Sequence, residues 1–87
     1  MVNESEIQVA RLFRVEKEGS KLKAFVDLAI GGCLIVKGFK VMQGQEDLFV
    51  SMPSQPGKDG KWYQVALPAT KEKRSQISEV ILSAYRE

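Results

Sequence analysis

Two adjacent glycines, Gly31-Gly32, stand between two runs in which apolar and polar residues alternate. This is the feature that most narrows what the chain can fold into. Glycine takes positive φ without steric cost, and a two-residue type I′ turn needs positive φ at both central positions. Before the pair, residues 21–30 place Leu22, Ala24, Val26, Leu28 and Ile30 on one face and Lys23, Phe25, Asp27 and Ala29 on the other. A two-residue turn then predicts a register. Ile30 faces Cys33, Leu28 faces Ile35, Ala24 faces Phe39 and Leu22 faces Val41. Those pairs are almost all apolar, as one buried face requires. On the opposite face Phe25 would cover Gly38, and Lys23 would lie opposite Lys40. That lysine pair calls for solvent or an anion. Cys33 falls in the apolar set and reads as a buried structural thiol.

The rest of the chain fits around this hairpin. Residues 7–16 alternate with period 2 and read as a strand. Ile7, Val9, Phe13 and Val15 share a face with Arg11, whose side chain either snorkels to water or serves as a phosphate contact. Residues 16–20, Glu-Lys-Glu-Gly-Ser, form a polar hairpin loop, and residues 42–46 a glycine-containing connection. Residues 48–52 form a short apolar strand that Met52-Pro53 must end, because Pro53 has no N–H for a sheet ladder. Residues 54–61 read as an exposed loop with the turn dipeptides Pro56-Gly57 and Asp59-Gly60. Residues 62–67 would then return antiparallel to 48–52. Trp62 and Tyr63 point to opposite faces there, which leaves at least one ring partly exposed. Pro68 stops that strand, Thr70 is a plausible N-cap, and a helix covers about 70–86. Ile77, Val80, Ile81, Ala84 and Tyr85 make its apolar stripe. Leu82 falls off the stripe, where it could meet a partner chain.

Several functions are disfavoured by composition. The chain has 87 residues, a net charge of +2, one cysteine and no histidine. Without histidine it lacks the commonest general base and metal ligand, and a single cysteine cannot build the usual zinc site or an internal disulfide. It has no phosphate-binding glycine loop with its Lys-Ser/Thr. No catalytic residues, cofactor, metal or small-molecule substrate are therefore expected. Residues 1–6 are polar and acidic, unlike a signal peptide, and are expected to be flexible. No apolar run approaches the ~20 residues of a membrane span. A cytoplasmic single domain, 1–87, is the expectation. A domain of this size buries only roughly 60–65% of its unfolded surface, so pairing with a second copy is an ordinary way to add buried area.

One local rule is broken. A helix N-terminus carries partial positive charge and disfavours cations, yet the first turn holds Lys71, Lys73 and Arg74 against Glu72 alone. Free N–H groups beside three cations form an anion site, most simply for phosphate. Lys58 and Lys61, flanking Asp59-Gly60, have two readings. They are either solvated lysines of a turn or, with the loop's backbone N–H groups, a second phosphate contact.

These residues also resemble a known family. The order Leu48-Phe49-Val50-Ser51-Met52-Pro53-Ser54, then Asp59-Gly60, then Ala66-Leu67-Pro68, then a basic helix start on a helix ending at Tyr85, is similar to the stage V sporulation protein G family. The likeness covers about residues 7–86, including the Arg11-Leu12 to Arg14-Val15 strand. It implies an α+β fold, a small antiparallel β-sheet of two hairpins with one C-terminal helix, the sheet extended by dimerisation. It also implies a bacterial regulator of septation and sporulation-type gene control that binds DNA and RNA as a homodimer joined by strand pairing. The family's binding residues map onto Lys71, Lys73 and Arg74, and its basic loop onto Lys58 and Lys61. Where the family carries Lys-Arg after Met-Pro-Ser, this chain has Gln55-Pro56. A reading from another class is a protein-interaction module of the division or envelope-regulation machinery, with Trp62, Tyr63 and Leu82 at the contact.

Overall fold

The computed structural model describes residues 6–87. Of the segment expected to be flexible, residues 1–6, all but Glu6 lie outside the described residues. The Glu6 carbonyl accepts a hydrogen bond from the Gly31 N–H at 2.6 Å.

The fold is α+β. Four strands, β1 (Ile7–Arg14), β2 (Leu22–Ile30), β3 (Leu34–Gln43) and β4 (Leu48–Ser51), form an antiparallel meander in chain order. Two short strands, β5 (Ser54–Pro56) and β6 (Trp62–Gln64), make a separate hairpin, and one helix, α1 (Lys71–Arg86), closes the chain. The helix packs across one face of the meander against β1, β3 and β4. Between them lies the core: Ala24, Val26, Leu28, Phe39, Val41, Val50, Met52 and Ile81, with Ile7 at its margin. Ile81 is fully buried, and Ile77, Val80, Leu82 and Tyr85 pack around it. Leu82 is thus part of the core contact. The helix spans several strands, so its apolar arc is wider than the stripe read from spacing. At its far end the Arg14 guanidinium sits 4.9 Å from the centroid of the Tyr85 ring and donates to the Glu87 carbonyl at 3.2 Å, which ties β1 to the helix C-terminus.

The glycine pair does turn the chain. Gly31 and Gly32 have φ of 60° and 70°, and the Cys33 N–H donates to the Ile30 carbonyl at 3.2 Å. The ladder, however, begins one residue later than expected, with Ile30 opposite Leu34 and Leu28 opposite Val36. A one-residue slip moves every side chain to the other face. Cys33 is therefore an exposed turn residue, not a buried thiol, and Ile35 lies on the uncovered face, 51% exposed. A β-bulge at Lys37-Gly38 then restores the inward face. Gly38 carries it with φ 103° and packs against buried Pro53. Beyond the bulge Val26 faces Phe39, Ala24 faces Val41 and Phe25 faces Lys40. The expected pairings of Ala24 with Phe39, of Leu22 with Val41, of Phe25 with Gly38 and of Lys23 with Lys40 are all replaced, and a further register shift between Leu22 and Ala24 puts Leu22 opposite Met42. A second bulge, at Ala10, makes the same correction in β1: Leu12 turns to the core, while Arg11 and Phe13 face away, opposite Asp27 and Phe25. Arg11 is therefore not on the apolar side at all.

The last correction concerns the proline. Residues 62–67 do not return along 48–52. Trp62–Gln64 pairs with Ser54–Pro56, in the register Ser54 with Gln64, Gln55 with Tyr63 and Pro56 with Trp62. Pro53 is buried and gives the ladder no donor, so the chain leaves the sheet there and the next segment folds on its own continuation. One backbone hydrogen bond, Val65 N–H to the Pro53 carbonyl at 2.9 Å, ties the small hairpin's end back to that corner.

Candidate nucleic-acid interface

The basic helix start is built as its sequence suggests. Thr70 is extended, with φ −141° and ψ 168°, and its hydroxyl accepts the Lys73 N–H at 3.1 Å. The Arg74 N–H donates to the Thr70 carbonyl at 3.0 Å. An N-cap satisfies only part of the first turn's donors. Among the described residues the amides of Lys71 and Glu72 have no protein acceptor. Lys71, Lys73 and Arg74 are all exposed. Among the described residues the one ion pair is Arg86 with Asp47, 3.8 Å apart at the other end of the helix. The three cations thus surround open N–H groups with no carboxylate within pairing distance. Lys73 also donates through its ammonium to Gln76 Oε1 at 3.4 Å. Its stem lines an apolar groove of ≈ 330 Å³ together with Ile30, Phe39, Met52 and Leu67. The basic first turn is therefore held on the rim of an apolar surface.

Lys58 and Lys61 lie elsewhere, on the turn between β5 and β6, and both are exposed. The structure shows no hydrogen bond or ion pair joining them to the helix start among the described residues. Three of this turn's backbone donors are occupied. Gly57 N–H donates to the Lys61 carbonyl at 2.7 Å, Gly60 N–H to the Gly57 carbonyl at 3.1 Å, and Lys61 N–H to Asp59 Oδ1 at 3.0 Å. The Tyr63 hydroxyl donates to Asp59 Oδ2. That bond, helped by the Lys61 N–H, holds the Asp59 carboxyl below its ordinary value, and the same bond raises Tyr63. An ionised Asp59 between the two lysines offsets part of their charge. Three of the N–H groups that the sequence offered as part of a phosphate contact are thus turned to acceptors within the loop itself.

A third basic surface lies on the sheet face that the helix leaves uncovered; the sequence offered Arg11 as a phosphate contact and the Lys40 face as one that calls for solvent or an anion, but that they share one surface was missed. Arg11 and Phe13 of β1, Phe25 of β2 and Lys37 and Lys40 of β3 share it, with Asp27. The signal was Gly38, a glycine inside an alternating strand, which marks a bulge. The Lys40 ammonium lies 5.9 Å from the centroid of the Trp62 ring and so links this face to the small hairpin.

The family model SpoVG matches residues 5–87. A protein of Archaeoglobus fulgidus named "Putative septation protein SpoVG" is 37% identical over 83 residues, 95% of this chain and 96% of its own length. Proteins of the same name from Bdellovibrio bacteriovorus and Symbiobacterium thermophilum are 36% and 42% identical over 80 residues each. Those matches cover 92% of this chain and 72% and 56% of the relatives' lengths. The chain belongs to the SpoVG family.

Proposed function

We propose that this protein is a nucleic-acid-binding regulator, not an enzyme, that acts as a cytoplasmic homodimer in septation and sporulation-type gene control. The observation that carries the reading is the first turn of α1, where Lys71, Lys73 and Arg74 surround unpaired N–H groups with no carboxylate paired to them. Such a turn is electrostatically unfavourable by itself and favourable around a phosphate. Lys58 and Lys61 add side-chain contacts from the small hairpin. Strand pairing between two copies would present the turn twice and make the surface bivalent. The relatives' names supply the link to septation, and among the described residues no helix is long and apolar enough to cross a membrane.

The test is fluorescence anisotropy of labelled duplex DNA and of RNA across a series of salt concentrations. Log K should fall linearly with log salt, by about 0.9 per phosphate neutralised on DNA. Lys73→Glu with Arg74→Glu should make that slope shallower by about two contacts per protomer. Absence of binding at low salt, or an unchanged slope in the double variant, refutes the phosphate clamp.

A second reading rests on Trp62, Val65 and Leu67, which are 66%, 56% and 70% exposed. Apolar side chains this open suit a protein contact. That reading expects the charge reversal to leave partner binding unchanged and Trp62→Ala to abolish it.

A further inference from the structure

We infer that the uncovered face of the four-stranded sheet is a second nucleic-acid site, one that takes single-stranded nucleic acid by stacking bases on Phe13, Phe25 and Trp62. The inference rests on the nucleic-acid reading above but on none of the helix residues. Phe13 and Phe25 are direct cross-strand partners on this face, and partners across an antiparallel pair have Cβ atoms about 5 Å apart. They are 52% and 38% exposed. The next residue along the same row is Lys40, the partner of Phe25, and beyond it comes Trp62, with its ring centroid 5.9 Å from the Lys40 ammonium. Rings and cation therefore form one strip that runs across the strands.

The core does not need these rings. The helix packs on the opposite side of the sheet, and Phe13, Phe25 and Trp62 are absent from the buried cluster and from the residues packed against it. The bulges at Ala10 and Lys37-Gly38 are what turn Phe13 outward and bring Lys40 opposite Phe25.

Charge selects the occupant. Beside the strip, a depression of ≈ 350 Å³ is lined by Ala10, Arg11, Asp27, Ile35 and Lys37. Arg11, Lys37 and Lys40 face Asp27 as the acid of this surface, and no ion pair within 4 Å joins Asp27 to any of them among the described residues. Flat apolar rings flanked by unpaired cations match a strand whose bases are free to stack and whose phosphates follow the cations. A duplex keeps its bases paired and offers this strip only backbone.

Trp62 is the chain's single tryptophan, so the site carries its own reporter. The experiment titrates the protein with a dT12 oligonucleotide, following Trp62 fluorescence, and with a 12-mer of abasic sugar-phosphate units and a 12-base-pair duplex, followed by anisotropy of an end label. The variants are Phe13→Leu with Phe25→Leu, which keep apolar bulk and remove the rings, and Lys73→Glu with Arg74→Glu. The result expected is quenching by dT12, and a loss of dT12 affinity of about 5-fold or more per ring removed, with the same melting transition and salt slope as the parent. Equal affinity for the abasic 12-mer and dT12 overturns the inference, as does wild-type dT12 affinity in the Leu variant. A change of molecular mass by light scattering in the Leu variant also overturns it, because the face is then a protein contact. Where one of these overturning results appears while the duplex still binds and Lys73→Glu with Arg74→Glu weakens it, the sheet-face site alone has failed; if none of the three probes binds at low salt, the nucleic-acid reading fails with it.

Discussion

Gly38→Ala should destabilise this domain by about 1–3 kcal/mol, through the backbone and not through crowding. Gly38 has φ 103°, beyond the narrow left-handed region that L-residues visit. Holding a non-glycine residue in such a region costs of order 1–3 kcal/mol. An added Cβ would lie 3.4 Å from Pro53 Cβ, an ordinary contact. Alanine's lower entropy in the unfolded chain returns only about 0.4–1 kcal/mol where the native φ suits it, and here it does not. At about 2.1 cal/mol/K per residue, an 87-residue chain unfolds with an entropy near 0.18 kcal/mol/K. A loss of about 1.5 kcal/mol therefore lowers Tm by about 8 °C. Thermal unfolding followed by circular dichroism at 222 nm measures it. Gly19→Ala is the companion variant, because Gly19 also has positive φ, at 81°, with nothing within 4 Å of the added Cβ. A similar loss at both positions would assign the effect to φ alone. A Gly38→Ala protein as stable as the parent, within about 0.5 kcal/mol, would refute the bulge and with it the register that places Phe25 opposite Lys40.

Three other outcomes follow. Ile81→Ala removes a fully buried side chain and should cost about 2–5 kcal/mol in urea unfolding, a large share of a small domain's stability; a loss under about 1 kcal/mol would contradict the helix docking. Thr70→Ala should cost about 0.5–2 kcal/mol, whereas Thr70→Asp should hold stability by capping the same Lys73 amide; equal losses in thermal melts would refute the cap. The Asp59–Tyr63 bond has opposite signs at its two ends. Asp59's lowered value means its contribution is complete above the ordinary 3.8 and is lost as pH falls through the lowered value. Tyr63's raised value means its contribution is complete below the ordinary 10.0 and is lost as pH rises through the raised value. Ultraviolet titration in a Tyr85→Phe background should place Tyr63 above 10.0, and Asp59→Asn should bring it back down; a titration unmoved by Asp59→Asn would refute the bond.

Most elements were legible in the sequence because their signals are local. Alternation gave the four strands of the meander, Pro53 gave the end of β4, and Thr70 with the Ile77-to-Tyr85 spacing gave the helix; β5, Ser54–Pro56, was read as part of a loop, and β6 is shorter than the expected 62–67. The register was not legible. It depends on single inserted residues, Cys33 after the glycine turn, Gly38 in β3 and Ala10 in β1, and alternation by itself does not say where a strand skips a step. Each skip exchanges inside for outside, so Cys33, Ile35, Arg11 and Phe13 were all placed on the wrong face. The partner of residues 62–67 was missed for a different reason. Pro53 showed that the strand had to stop, but a stop does not reveal that the next segment folds back on its own continuation. At the candidate site the cluster Lys71, Lys73 and Arg74 could be read directly, since a helix start presents consecutive residues together. The row Phe13–Phe25–Lys40–Trp62 could not, because it exists only after four segments are in register.

The single backbone hydrogen bond from Val65 to Pro53 has a consequence for how the molecule opens. β5 and β6 bury none of their residues, so separating them from the sheet exposes no buried side chain of their own. Amides of Gln55, Tyr63 and Val65 should exchange with solvent through a local opening far cheaper than global unfolding. Those of Val26 and Leu28 should wait for the whole domain. The segment that carries Trp62, Lys58 and Lys61 is thus expected to open as a unit between Pro53 and Thr70, and hydrogen exchange of its amides measures that opening.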